Sequence, residues 1–272
     1  DLMSKSLQYL QTLPVTIVSR PDTEALSLYG QIHEGLQSTL LGLKGIPVLS
    51  ESMSIQRDLD LLRYVRANAF GLAHADFRLH FSCISTAAGV DLIHAAKAEG
   101  LPVTADVAVH QLVFTEDAIA DFDTNKKVFP PFRATSDLEA LWKGLAVGSI
   151  DAVVSDHHPV EFESKALEFD HADFGTIGLE TLLAAFVDAA EKRGLTNYLD
   201  YITRKPATLL GIELPVIEEG SSVKAVLFER GVQLVYQQSN IVSKSKNSCF
   251  LGETFSTQIS HVIKGDQILY QR

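Results

Sequence analysis

The chain has 272 residues, 46% of them hydrophobic and 21% charged, so it can bury the core of one main domain with a small appendage. Its net charge of −11 and its lack of a Lys/Arg-rich run predict no nucleic acid partner and no anionic membrane surface, and no apolar run approaches the roughly 18 residues that span a bilayer. The two cysteines, Cys83 and Cys249, lie far apart and outside any CxxC spacing, which favours a reducing cytoplasmic location over a disulfide framework.

The first part of the chain is predicted to hold two helices and a buried strand. Apolar residues at helical spacing predict a helix over 2–13, and Pro14 then leads into the apolar run 15–18, which predicts a strand. A second helix is predicted over 50–68, with Ile55, Leu59, Leu62 and Val65 on one face. Because the sequence enters a helical pattern directly at its first residue, we expect that earlier elements of the fold lie outside it.

The middle of the chain alternates strands and helices at the spacing of βαβ units. Residues 77–84 alternate like a strand, 86–99 form an Ala-rich helical stretch, and 102–109 are β-branched and apolar. The capping-box pattern that begins at Ser136 predicts a helix to about residue 145, followed by a buried strand over 150–154. Continuous apolar strands without a glycine-rich phosphate loop predict an α/β fold with a closed barrel rather than an open sheet.

The last part of the chain changes character. Helices are predicted over 178–193 and 206–210. Beyond residue 220 the pattern is that of antiparallel strands, over 223–228, 232–236 and 259–270, with a turn around Gly265 in the last of these. We therefore predict a barrel over 1–215 and a small β subdomain over 216–272.

One predicted strand ends in residues that can carry chemistry. The apolar pair Val153-Val154 is followed by Ser155 and then by Asp156-His157-His158-Pro159. Catalytic residues of barrels gather at the carboxyl ends of strands, and a carboxylate there can bind a divalent metal and accept a proton from a metal-bound water. A plain turn, in which Asp156 caps a loop and both histidines are solvated, is the alternative interpretation.

These residues also carry a resemblance to a known family. Asp156-His157-His158-Pro159 is similar to the Asp-His-Ala-Pro signature of class I dihydroorotases, which belong to the amidohydrolase superfamily. The resemblance implies a TIM-like (β/α)8 barrel and a zinc hydrolase that interconverts dihydroorotate and carbamoyl aspartate in pyrimidine biosynthesis. It continues in the same order along the chain, over residues 20–26, 81–87, 92–100, 103–110, 127–133, 175–181 and 243–247.

The zinc positions that the resemblance implies are altered in this chain. The family's His-x-His pair on the first barrel strand has to precede Asp1. The family's fourth-strand histidine falls on Arg20, whose guanidinium stays protonated and cannot coordinate zinc. The fifth-strand histidine falls on Cys83, which can bind zinc as a thiolate but is also typical of a small core residue. Asp156 is the family's catalytic carboxylate, so Asp156 and Cys83 remain as candidate metal ligands. His157 and His158 could also supply a ligand, although adjacent residues on an extended loop tend to point apart.

The substrate positions of the family are altered as well. Phe129 replaces an asparagine before the paired prolines, and Val160 replaces the histidine that closes the Asp-His-Ala-Pro-His signature. The same comparison predicts that His110, Arg133 and His158 line the substrate pocket together with these two residues.

Two functions follow from the resemblance. The first is a catalytically degenerate dihydroorotase homologue, with zinc absent or weakly bound, that acts as a structural or regulatory protein, forms a homodimer and has aspartate transcarbamoylase as a candidate partner. The alternative is an active zinc-dependent dihydroorotase or related cyclic amidohydrolase that uses Asp156, Cys83 and the first-strand pair.

Overall fold

A computed structural model describes residues 2–69, 71 and 73–272. Its helices and strands alternate through most of the chain and end in a run of strands. In chain order they are α1 (Leu2–Leu10), β1 (Thr16–Ser19), α2 (Glu24–Ser27), β2 (Ile32–His33), α3 (Leu36–Leu41), β3 (Gly45–Ile46), α4 (Leu49–Ala67), β4 (Arg78–Phe81), α5 (Ala87–Ala98), β5 (Val103–Ala108), α6 (Thr135–Val147), β6 (Ala152–Val154), α7 (Phe162–Lys165), α8 (Leu182–Lys192), α9 (Arg204–Leu210), β7 (Lys224–Val235), β8 (Thr254–Lys264) and β9 (Gln267–Gln271).

The main sheet of the described residues is parallel and follows the order β1-β4-β5-β6. Val18 of β1 pairs with His80 of β4, and Ala108 of β5 pairs with Val154 of β6. Since all four strands run the same way, the residues that follow them meet at one edge of the sheet. Within the described residues these strands form an arc, not a closed ring.

The core lies between this sheet and the helices that cover it. Ile55, Leu59, Leu62 and Val65 of α4 are at most 1% exposed, as their predicted common face requires. They pack with Leu7 of α1 in the same apolar cluster. Burying each such side chain stabilises the fold by about 1.5–3 kcal/mol, so this cluster fixes the position of the sheet and its carboxyl edge.

The predicted capping box at Ser136 is wrong. Helix α6 begins at Thr135, and its N-cap residue Ala134 has no side-chain cap. The Oδ1 atom of Asp137 instead accepts a hydrogen bond from the backbone N–H of Ala87, at 2.8 Å. The carboxylate therefore serves the neighbouring helix α5, where the positive end of the helix dipole favours it.

Two further regions differ from the sequence-based prediction. Residues 24–46, for which no element was predicted, contain two short helices and the two-residue parallel pair β2 and β3. The stretches 223–228 and 232–236 form the single strand β7, with an irregular register between Arg230 and Leu234. Gly231 has a φ of 77°, a left-handed conformation that glycine adopts freely, so the strand bends here without ending.

The three last strands form an antiparallel sheet in the order β7-β8-β9. Its contact with the first part of the chain runs through α8, where Asp188 accepts hydrogen bonds from the N–H of Ser256 at 2.6 Å and from its hydroxyl at 2.7 Å. The division of the chain at residue 216 stays a prediction. None of the helices within the described residues has both the length and the hydropathy to cross a bilayer.

Candidate functional site

Four polar side chains meet at the carboxyl edge of the main sheet. Arg20 follows β1, Cys83 lies two residues beyond β4, His110 lies in the short turn after β5, and Asp156 lies two residues beyond β6. We call these four residues the strand-end cluster. The parallel order of the strands brings them together although 136 residues separate the first from the last.

Arg20 and Asp156 form a bidentate ion pair. The Nη1 atom of Arg20 lies 2.9 Å from Oδ1 of Asp156, and Nη2 lies 3.0 Å from Oδ2. The same Nη2 donates to the backbone carbonyl of Phe129. Burial alone would raise the pKa of Asp156, but the hydrogen bonds and the charge of Arg20 outweigh it and hold that pKa below its ordinary value. Asp156 is therefore ionised and already paired.

Cys83 is held beside this pair as a neutral thiol. Its side chain is buried, and burial together with the charges of Asp106 and Asp156 raises the pKa of the thiol. Its backbone N–H donates to Oδ1 of Asp106 at 2.6 Å. Metal coordination needs the thiolate, so this environment weakens Cys83 as a ligand.

Asp106 is a functional neighbour that the sequence did not reveal. Its Oδ2 atom lies 2.8 Å from Nε2 of His80, and the hydroxyl of Ser82 lies 3.1 Å from the same oxygen. His80 is 8% exposed because it pairs with Asp106 and lies 2.8 Å from the hydroxyl of Thr104. The carboxylate thus fixes the turn that carries Cys83.

His110 is fully buried and its ring nitrogens have no hydrogen-bond partner in the structure of the described residues. Nε2 lies 4.0 Å from Oδ2 of Asp156, and the ring packs edge-on against Phe132 at a centroid distance of 5.7 Å. Burial lowers the pKa of His110 to about 4, so the imidazole is neutral at pH 7. A buried imidazole without a hydrogen-bond partner costs stability.

A cavity of about 280 Å³ opens beside the ion pair. Of the predicted pocket residues, Phe129 and His158 line it, and the Phe129 ring contacts Phe174 at 5.7 Å in an edge-to-face arrangement. The residues that line the cavity are Arg20, Val128, Phe129, Asp156, His158, Phe174, Gly175 and Thr176.

The structure places Arg133, another predicted pocket residue, in a buried network. It is 3% exposed, and its guanidinium donates to the hydroxyl of Ser85 at 3.0 Å and to the carbonyl of Ile46 at 2.8 Å. Glu51 accepts from both the N–H and the hydroxyl of Ser85 and of Thr86, at 2.5–3.0 Å. We call Glu51, Ser85, Thr86 and Arg133 the Glu51 network.

The Glu51 network holds the first turn of α5. The hydroxyl of Thr86 accepts from the N–H of Gly89 at 3.0 Å and so caps helix α5. Glu51 was missed because a single glutamate in a helix usually faces solvent. The two adjacent hydroxyl residues before an Ala-rich helix were the available signal that a buried acceptor is needed there.

The loop after β6 is held by Asn247. Its Nδ2 donates to the carbonyl of His158 at 3.0 Å, and its Oδ1 accepts from the N–H of Val160 at 3.2 Å. Val160, another predicted pocket residue, thus contributes its backbone to this link. His157 points away from His158, since its Nδ1 accepts from the N–H of Gly178 at 3.2 Å.

Two buried lysines anchor the segment that follows. Nζ of Lys165 donates to the carbonyls of Thr124, Lys127 and Asp173 at 2.7–3.2 Å. Nζ of Lys127 donates to the carbonyl of Phe169 at 2.7 Å. Burial and the charge of Lys127 lower the pKa of Lys165 to about 8. Both ammonium groups therefore hold the backbone of residues 124–127 and 169–173 together through buried hydrogen bonds.

As arranged, the strand-end cluster does not fit a zinc ion. The guanidinium of Arg20 occupies the side of Asp156 that a cation would take, and Cys83 is protonated. His110 offers free ring nitrogens, but zinc sites use three or four converging protein ligands. Across residues 2–69, 71 and 73–272, His, Cys, Asp and Glu side chains do not come together in threes as a metal site would need.

Comparison with solved structures identifies the fold. No family model matches the sequence. The chain superposes on L-hydantoinase (dihydropyrimidinase) from Arthrobacter aurescens with a TM-score of 0.83 and 24% identity, over 99% of this chain and 60% of that one. The dihydropyrimidinase from Brevibacillus agri gives 0.82 and 21%, over 99% and 59%. The fold is that of the TIM-barrel amidohydrolases, which confirms the predicted fold class.

Two sequence relatives carry the same name. The dihydroorotase of Caldicellulosiruptor saccharolyticus is 36% identical over 272 residues, which are 99% of this chain and 61% of that protein. The dihydroorotase of Endomicrobium trichonymphae is 34% identical over 275 residues, 100% of this chain and 63% of that protein. The chain is thus similar over nearly its whole length to proteins named dihydroorotase, in agreement with the predicted resemblance. It spans about three fifths of the length of these two curated relatives, at 61% and 63%.

Proposed function

We propose that this chain belongs to a dihydroorotase-family protein of pyrimidine biosynthesis that has lost catalysis and acts as a structural or regulatory homologue. The observation that carries the proposal is the ion pair between Arg20 and Asp156, at 2.9 and 3.0 Å. A catalytic carboxylate has to be available to metal, water or substrate, whereas both oxygens of Asp156 are paired with a fixed cation.

The charge of Arg20 opposes the binding of a metal ion at Asp156. Two like unit charges 4 Å apart repel by about 4 kcal/mol at the effective dielectric of a protein surface. A divalent ion beside Asp156 would therefore have to displace Arg20 or accept its repulsion. Cys83, the other candidate ligand, would also have to lose its proton in an environment that raises its pKa.

The partners in this proposal come from the family. We propose a cytoplasmic homodimer that associates with aspartate transcarbamoylase. In this assembly the barrel supplies a binding surface and does not catalyse a reaction. Sedimentation of the full-length protein with and without the transcarbamoylase of the same organism tests this. Independent sedimentation of the two proteins at micromolar concentration would rule out the association.

Metal analysis and turnover test the loss of catalysis. The full-length protein, purified and then supplied with zinc, should hold well under one equivalent and should not interconvert dihydroorotate and carbamoyl aspartate. About one or two equivalents of bound zinc together with turnover would refute the proposal. The double variant Arg20→His/Cys83→His should bind more zinc than the wild type, since both changes supply imidazole at the family's ligand positions.

The alternative is an active zinc-dependent dihydroorotase or related cyclic amidohydrolase. It is favoured by the ionised Asp156 at the end of β6 and by the free nitrogens of His110 beside it. In an active enzyme, Asp156→Ala would abolish turnover while Arg20→Met would not reduce zinc content. The same metal analysis separates the two candidates.

A further inference from the structure

Arg20 connects three parts of the fold that lie far apart in the sequence. It follows β1, whereas Asp156 follows β6, and these are the two outer strands of the order β1-β4-β5-β6. Its third contact, the carbonyl of Phe129, belongs to the loop between β5 and α6. One side chain thus spans the sheet from one outer strand to the other and also reaches a loop.

We propose that Arg20 is a structural clamp that holds the carboxyl ends of β1 and β6 and the Phe129 loop together, doing with a guanidinium the cross-linking that a bound cation does in a metal site. The clamp rests on the proposed function in one respect, that Arg20 and not a metal neutralises Asp156. A planar guanidinium suits this task because it donates in several fixed directions at once.

The backbone at Asp156 needs such a partner. Asp156 has a φ of 43°, in the left-handed region that a residue with a side chain enters at a cost. Such a conformation persists only where the surroundings hold it. Asn247 secures the loop from His158 onward, and the Asp156 carboxylate itself is bound by Arg20 and by the thiol of Cys83.

The Phe129 loop contacts residues 174–175 on one side and the strand ends on the other. The carbonyl of Lys127 accepts from the N–H of Gly175 at 2.9 Å, and the Phe129 ring packs on Phe174. These contacts tie the loop to residues 174–175. At the strand ends, Gln111 in the turn after β5 donates to the carbonyl of Pro130 at 2.8 Å. The hydrogen bond from Arg20 to the carbonyl of Phe129 adds a contact with the end of β1.

The chain contains a matched control for this ion pair. Arg63 binds Glu99 with two hydrogen bonds of 2.8 and 2.9 Å, a geometry close to that of Arg20 and Asp156. The Arg63 pair links two helices at the surface, and its carboxylate is 46% exposed, against 13% for Asp156. Removing Arg63 therefore deletes an equivalent pair that does not cross the sheet.

Hydrogen–deuterium exchange of the full chain tests the clamp. In Arg20→Met, backbone exchange over 126–133 and 154–160 should rise by about tenfold or more. Local opening of these segments in the wild type has to break the ion pair, and without the pair that opening costs less free energy. The antiparallel sheet β7-β8-β9 should exchange at the same rate as in the wild type. Arg63→Met should leave 126–133 and 154–160 unchanged. If Arg20→Met does not fold, Asp156→Asn, which keeps the side-chain shape, should raise exchange in 154–160.

A lysine variant tests the geometry of the contact. In Arg20→Lys a single ammonium can pair with Asp156 but cannot also reach the carbonyl of Phe129, so protection should return over 154–160 and not over 126–133. Full protection of both segments in Arg20→Lys would contradict the three-point contact. Exchange in Arg20→Met that equals the wild type would refute the clamp itself, whereas zinc bound to the wild type would refute the proposed function instead.

Discussion

The Glu51 network and the strand-end cluster are both built from charged groups in a largely buried setting, yet they differ in how well those groups are paired. Glu51 accepts four hydrogen bonds, and Arg133 is bound on two sides. In the strand-end cluster, His110 has free nitrogens and Asp156 depends on Arg20. The first has its buried donors and acceptors paired, whereas the second leaves ring nitrogens of His110 without a hydrogen-bond partner.

Glu51→Ala should give the largest loss of stability, about 3–5 kcal/mol, because it leaves the buried donors of Ser85 and Thr86 without their acceptor and removes a negative charge near the buried Arg133. Urea denaturation monitored by fluorescence measures the loss. Glu99→Ala, which removes the exposed carboxylate of the Arg63 pair, is the control and should change little. A similar small effect for both variants would mean that the Glu51 network does not carry stability.

His33, next to Arg133, should make stability depend on pH. Burial and the charge of Arg133 lower the pKa of His33 from 6.5 to about 4. The unfolded chain therefore gains a proton between pH 6.5 and 4 that the folded chain resists, so stability is complete above this range and falls by at most about 3 kcal/mol through it. His33→Gln should flatten this part of the stability curve, whereas His171→Gln, at an exposed site, should not. Parallel curves for all three proteins would contradict the prediction.

Asn247→Ala should cost about 1–2 kcal/mol, because it leaves the carbonyl of His158 and the N–H of Val160 without their partner. Thermal unfolding and limited proteolysis within 155–165 measure the effect. Asn68→Ala removes an exposed amide and should alter neither. Unchanged proteolysis in Asn247→Ala would show that the loop is held by other contacts.

Asp156→Asn should have the smallest effect on global stability, about 1 kcal/mol or less, because solvent screens Arg20, whose side chain is 43% exposed. The pKa of Asp156 is held low in the fold, so its contribution is present at neutral pH and is lost as the pH falls through the acidic range. Urea denaturation at pH 7 and at acidic pH should show the difference from wild type only at pH 7. A loss as large as that of Glu51→Ala would remove the contrast between the two sites.

The sequence predicts the main sheet because its strands are apolar on both faces and stand at βαβ spacing. It also brings Arg20, Cys83, His110 and Asp156 to one edge, since parallel strands share a carboxyl edge. The motif resemblance pointed to dihydroorotases, and relatives that are similar over the whole chain carry that name.

Other features depend on tertiary partners that local patterns do not contain. Ser136 has the pattern of a cap, but Asp137 is used by the neighbouring helix α5. His80 is polar and follows a turn, yet Asp106, a residue of the next strand, buries it. The strands β2 and β3 have two residues each, which is too short for a sequence periodicity to appear.

The two buried lysines described above have a consequence for chemical mapping of the surface. Lys127 and Lys165 are 2% and 6% exposed, and their nitrogens are engaged with backbone oxygens. Amine-reactive cross-linkers should therefore label the other lysines and skip these two. Reaction at Lys165 would be a sensitive sign that the segment it anchors has come loose.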